Sequence, residues 1–145
     1  MAGLPFVDAN VFLRHLRQDH ADHSPRATAF LQRVRVGQQR ARTADAVVFE
    51  TVFTLERTYK QPRAAIVSVL LPLLLLPALT LPNKRRIRRS FRLYLQHPRL
   101  SFADCYFVAL MESLGITNLV SFDQNFDRLG TITRKEPDVT GRLPD

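Results

Sequence analysis

Residues 4–16 read Leu-Pro-Phe-Val-Asp-Ala-Asn-Val-Phe-Leu-Arg-His-Leu, and the change of period inside them decides the fold class. Leu4 to Val7 is a short apolar run suited to a buried strand. Asp8, Ala9 and Asn10 then offer helix-capping side chains, after which Val11, Phe12 and Leu16 fall at helical spacing. A strand that ends on a carboxylate and turns straight into a helix is the repeating unit of an α/β domain.

Further along the chain the same alternation recurs. Two helices are expected after the first strand, broken near Asp19 to Pro25. Ala41 to Ala44 reads as a second strand, and Asp45 opens a helix to about Tyr59. Pro62 starts the next helix, whose leucine-rich body ends near Pro77, and Leu79 to Leu81 reads as a third strand. Lys84 to Gln96 is amphipathic, with Ile87, Phe91, Tyr94 and Leu95 on one face. Ser101 caps a further helix with Asp104 in the Ser-x-x-Asp pattern, an expected inner face of Phe107, Leu110, Met111 and Leu114, and Gly115 at its end. Asn118 to Ser121 and Gly130 to Thr133 complete the list of strands. The expectation is an α/β domain with a mostly parallel four- or five-stranded sheet flanked by helices on both faces, over 1–135, followed by a polar tail, 136–145. Sites in such sheets lie at the carboxyl ends of strands, where Asp8 and Asp123 fall.

Bulk properties narrow the function classes. The chain has 145 residues and 46% hydrophobic content, the size of one domain with its own core. A single cysteine, Cys105, excludes an intramolecular disulfide framework and points to a reducing cytoplasm. Met1 to Pro5 lacks the charged and apolar regions of a secretory signal. The uncharged, leucine-dense stretch from Ala64 to Pro82 is interrupted by Pro72 and Pro77, so it reads as a core or self-association helix rather than a membrane span. A formal net charge of +8 favours polyanionic partners, RNA or DNA, with plain solubility as the alternative.

Four acids stand apart: Asp8, Glu50, Asp104 and Asp123 each lie in or beside an apolar run with no Lys or Arg three or four residues away. Glu56, with Lys60 at i+4, reads as an ordinary exposed pair. An unpaired carboxylate in an apolar setting needs a cationic partner, and hard ions such as Mg²⁺ or Mn²⁺ take carboxylate oxygens. Each aspartate also has a structural reading: Asp8 as a helix cap, Asp104 as half of a capping box, Asp123 as the start of an Asx turn. Glu50, in mid-helix, has none.

At this point the motifs resemble a known family. Phe-Val-Asp8-Ala-Asn10-Val-Phe-Leu is similar to the opening motif of PIN-domain nucleases, and Val48-Phe-Glu50-Thr-Val-Phe to their glutamate-bearing helix. Ser101-Phe-Ala-Asp104-Cys-Tyr-Phe-Val-Ala resembles the third motif and Leu119-Val-Ser121-Phe-Asp123-Gln-Asn-Phe-Asp127 the fourth. The resemblance implies a Rossmann-like PIN fold and Mg²⁺- or Mn²⁺-dependent endoribonuclease activity leaving 5′-phosphate and 3′-hydroxyl ends. For a domain of this length it extends to the VapC toxins of toxin–antitoxin pairs, hence to an antitoxin partner and a homodimer. Asp8, Glu50, Asp104 and Asp123 are then the catalytic and metal-binding quartet, with Asn10, Ser121 and Asp127 as auxiliary polar positions.

Lys84, Arg85, Arg88, Arg89 and Arg92 form a basic helical face that reads either as an RNA-tracking surface or as a solvated one. His15, His20 and His23 match no metal-ligand spacing, Cys105 reads as a core residue, and Glu112 as a solvated acid. Adjacent-acid receivers and dehalogenase-type phosphatases are disfavoured because Ala9 and Asn10 stand where second acids would be needed. The rival that remains is a PIN-like module that binds RNA or protein without cutting.

Overall fold

The computed structural model describes residues 3–145. Its order is α1 (Ala9–Arg17), α2 (His23–Arg35), β1 (Ala41–Arg42), α3 (Asp45–Arg57), α4 (Arg63–Leu74), β2 (Leu79–Thr80), α5 (Lys84–Gln96), α6 (Phe102–Leu114), β3 (Asn118–Val120), a 3₁₀ helix (Gln124–Arg128) and β4 (Thr133–Lys135). Pro25 falls inside the first turn of α2 rather than before it, where a missing N–H costs no helical hydrogen bond. The last strand begins at Thr133, the final residue of the expected Gly130 to Thr133, because Leu129 and Phe126 close a turn first.

β1 is the centre of the first sheet. It pairs in parallel with β2, Ala41 opposite Leu79, and on its other side with the first segment through a single bridge, Phe6 to Arg42. Val7 N–H donates to Arg42 O at 2.8 Å and Arg42 N–H to Pro5 O at 2.9 Å. The second sheet is separate: β3 and β4 pair in parallel with each other alone. One sheet of four or five strands, the expected arrangement, is therefore present as two parallel units among the described residues.

The core lies among β1, β2 and the helices, where Phe12, Val48, Leu70, Leu79, Ile87 and Phe91 are fully enclosed. α5 and α6 pack together, and α3 meets α1, α4 and α6. An aromatic cluster binds three of these helices. The Phe102 ring lies 4.7 Å from Phe91, 5.6 Å from Tyr94 and 5.8 Å from Phe49, and Phe49 meets Tyr106 edge-on at 4.9 Å. Such tilted and edge-on pairs add about 0.5–1.5 kcal/mol each beyond their burial.

Two faces differ from expectation. α6 buries Phe102, Cys105, Tyr106, Val108, Ala109 and Met111, while Phe107 and Leu114 are exposed. Apolar residues surround α6 on almost every side, so periodicity does not single out the face that α3 and α5 choose. Leu95 is likewise exposed at the end of α5. The leucines of α4 go mainly inward, with Ile66, Leu70, Leu73 and Leu74 all buried. Among the described residues no helix is long and apolar enough to cross a membrane.

Candidate active site

Asp8 is delivered by the first sheet. The buried Thr43 hydroxyl donates to Val7 O at 2.9 Å, fixing the carbonyl just ahead of Asp8 to the end of β1. Asp8 then caps α1: its Oδ1 accepts from Asn10 N–H at 3.1 Å. The sequence did not reveal this tie, since a lone Thr after a strand carries no motif.

Asp104 sits in the first turn of α6 and completes a capping box. Its N–H donates to Ser101 Oγ at 3.1 Å, and its Oδ2 accepts from Ser101 N–H at 3.4 Å. Asp123 caps the 3₁₀ helix, its Oδ1 accepting from Asn125 N–H at 2.9 Å, while its own N–H donates to Ser121 Oγ at 3.0 Å. The structural reading of each aspartate is thus correct, and it accounts for half of each carboxylate. Asp8 Oδ2, Asp104 Oδ1 and Asp123 Oδ2 have no hydrogen-bond or ion-pair partner among the described residues.

Glu50 has neither oxygen engaged. It is exposed on α3, flanked by the buried Val47, Val48 and Thr51, so the apolar run around it packs inward and leaves the carboxylate in solvent rather than in the core. It lines a cleft of about 540 Å³ shared with Ser101, Phe102 and Ala103 at the start of α6; Asp104, the next residue in sequence, is not among the lining residues. Asp8 heads a helix packed on α3. Asp123 belongs to the 3₁₀ helix, whose Asn125 and Arg128 face the His97 to Leu100 loop that leads into Ser101. Each acid therefore lies on an element that neighbours another's, yet among the described residues no three His, Cys, Asp or Glu side chains are grouped to hold an ion.

Six other acids have a basic partner among the described residues. Asp19 pairs with Arg14, Asp22 with Arg26, Glu56 with Arg63, Glu112 with Arg89, and Asp127 and Glu136 with Arg134. Asp45 accepts from the Tyr106 hydroxyl through Oδ2, joining α3 to α6, while its Oδ1 is buried without a partner, and Asp138 is satisfied inside its own turn by Thr140 and Arg142. Asp127, expected as an auxiliary acid, is gripped by both Nε and Nη2 of Arg134 at 2.9 and 3.2 Å, which holds its carboxyl below the usual range. Glu56 meets Arg63 at 3.8 Å and not Lys60: α3 ends at Arg57, and Lys60 lies at positive φ, off the helical path. Glu112, expected to be solvated, forms a two-pronged pair with Arg89 at 2.9 and 3.0 Å.

That pair also changes the basic face of α5. Arg89 is held by α6, and Lys84 Nζ donates to Leu76 O at 2.8 Å. Arg85, Arg88 and Arg92 remain exposed. Cys105 is a core thiol pushed up to about 12 by burial, so it stays protonated and is no nucleophile. His20 and His23 stack at 3.9 Å, and His15 bonds Thr28 at 2.8 Å, which is structural use.

Asp8 follows a segment bridged to β1, Asp123 follows β3, and both pairings are parallel within an α/β domain. The sequence profile of the PIN domain matches residues 6–132, and the chain belongs to that family. Among solved structures it is similar to VapC20 of Mycobacterium tuberculosis, described as a sarcin–ricin loop cleaving toxin. The two are 23% identical over 86% of this chain and 94% of that one, with a TM-score of 0.37. No curated protein sequence matches the chain.

Proposed function

We propose that the chain is a divalent-metal-dependent endoribonuclease that works through Asp8, Glu50, Asp104 and Asp123, and that it acts as the toxin of a toxin–antitoxin pair. One observation carries the reading. In a chain of net charge +8, where Asp19, Asp22, Glu56, Glu112, Asp127 and Glu136 all have a basic partner, these four have none among the described residues and each keeps an oxygen free. Their membership of PIN-type motifs supports the same assignment.

The donor set suits a hard cation. Mg²⁺ takes about one or two carboxylates and fills its remaining positions with water and substrate phosphate, so single free oxygens at separate element ends fit without a protein cage. The ion supplies charge against the phosphate and Lewis acidity for the attacking water. The residues do the positioning. Backbone capping fixes the free oxygens of Asp8, Asp104 and Asp123 in direction, Ser121 orients the Asp123 backbone, and Glu50 faces the cleft from α3.

The reading includes a single sheet. The first segment uses Pro5 and Val7 toward β1, leaving Phe6 at an outer edge, 57% exposed; β3 pairs on one side only and leaves Val120 54% exposed. Pairing these edges removes two unpaired strand edges and sets Asp8 and Asp123 at adjacent strand ends. An antitoxin chain is part of the toxin reading.

Incubating single-stranded RNA with the protein in Mg²⁺ or Mn²⁺, with and without chelator, tests the proposal. Cleavage should require the ion, and Asp8→Asn should lose at least about 10²-fold in rate while keeping its fold, since Asn caps helices as well as Asp. RNA bound but uncut in either ion would establish the non-catalytic module instead.

A further inference from the structure

α3 carries two phenylalanines one turn apart that are treated in opposite ways. Phe49 is packed edge-on against Phe102 and Tyr106. Phe53 is 59% exposed and touches the same cleft as Glu50, which lies three residues before it on one helical face. The Arg57 guanidinium lies 5.5 Å from its ring centroid. Phe49, half-buried and packed on the core, forms the inner wall of the cleft, whereas Phe53 leaves its ring in water beside the candidate reaction site.

We infer that the cleft between α3 and the start of α6 receives one nucleobase of the RNA strand, stacked on Phe53. The inference rests on the RNA reading above but not on cleavage. The cleft has the size of a ligand site, about 540 Å³, and its walls are apolar except for Glu50, Glu56 and Ser101. The unpaired Glu50 carboxylate repels phosphate, and Glu56 is already held by Arg63, so the part of a nucleic acid that enters is the neutral, flat base. The backbone stays at the rim, where Arg57 offers a cation to the phosphate. A basic peptide would meet the carboxylates well, but Arg57 and the net charge of +8 oppose it, whereas both attract a polyanion. Every base has a π face, so stacking binds RNA with little sequence preference, and Arg57 adds a cation–π contribution. Stacking next to Glu50 also sets which phosphodiester lies beside the carboxylates, making Phe53 a positioning residue.

The chain contains no tryptophan, so Phe53→Trp introduces a unique fluorophore at the stacking position. The full-length variant is titrated in chelator with a single-stranded oligoribonucleotide, and with the same strand made abasic at successive positions, while anisotropy of the labelled RNA reports binding. The expected result is quenched emission on saturation, with one abasic position that removes the quench and weakens binding at least about fivefold. Leu114→Trp, at the far end of α6, should not be quenched. Phe53→Leu should raise KM for cleavage about tenfold with kcat little changed, and Phe53→Trp should restore it. RNA that binds to saturation without quenching Phe53→Trp overturns the inference and leaves the nuclease proposal standing. Quenching without any cleavage in Mg²⁺ or Mn²⁺ keeps the stacked base and removes the nuclease. RNA that does not bind at all removes both.

Discussion

The two parallel strand pairs of this chain are alike in hydrogen bonding and opposite in setting. β1 and β2 put Ala41 and Leu79 wholly inside the core. β3 and β4 lie at the surface with Val120 exposed, and their connection is held to the body by Phe126 and Leu129. Asp8 leaves the first unit through a backbone locked by Thr43, whereas Asp123 leaves the second through a short turn anchored by two apolar residues. The difference teaches that one half of the candidate site is fixed by the core and the other is docked onto it.

The largest effect should come from breaking the fixed half. Leu79→Ala removes a fully enclosed side chain from β2 and should cost about 2–5 kcal/mol in chemical denaturation. A loss below about 1 kcal/mol would mean that β2 is not the floor of the core.

Breaking the docked half should be gentler and local. Phe126→Ala should speed amide exchange across 117–135 at least about tenfold while Val47 to Leu55 of α3 keep their protection. RNA cleavage should fall with it, because Asp123 loses its anchor. A drop in global stability as large as that of Leu79→Ala would show that the two strand pairs unfold as one unit, and the comparison would fail.

The smallest effect sharpens the same contrast. Cys105 lies in the fixed half beside Asp104, and burial raises its thiol to about 12. A raised thiol pKa keeps the group protonated at pH 8, so alkylation should occur only through global opening. Its rate in Phe126→Ala should match that of the unaltered chain; faster labelling would extend the docked region into α6.

Much of this was legible in the sequence because it rests on local chemistry. The bounds of α5, and of α6 from Ser101 to Gly115, follow from capping and helical spacing, and these copy directly into the structure. The capping roles of Asp8, Asp104 and Asp123 were equally local. What was not legible is decided by contacts between distant elements. α6 turns Phe107 outward because α3 and α5 claim its other sides, and Glu56 finds Arg63 because the chain leaves the helix before Lys60. Arg89, Lys84 and Asp127 were read as free groups, and each is held by a partner that no spacing rule links to it. Thr43 carried no motif, and nothing local marked Phe53, inside the glutamate-bearing motif, as the exposed one of the two phenylalanines.

The central claim is that the unclaimed oxygens of Asp8, Glu50, Asp104 and Asp123 together hold a divalent ion. Titrating Mn²⁺ into the protein with electron paramagnetic resonance detection of the free ion measures this without RNA. The account predicts saturable binding that weakens at least about tenfold in Asp8→Asn and in Asp123→Asn and is released by chelator. Mn²⁺ binding that is absent, or unchanged in every single variant of the four acids, would contradict it.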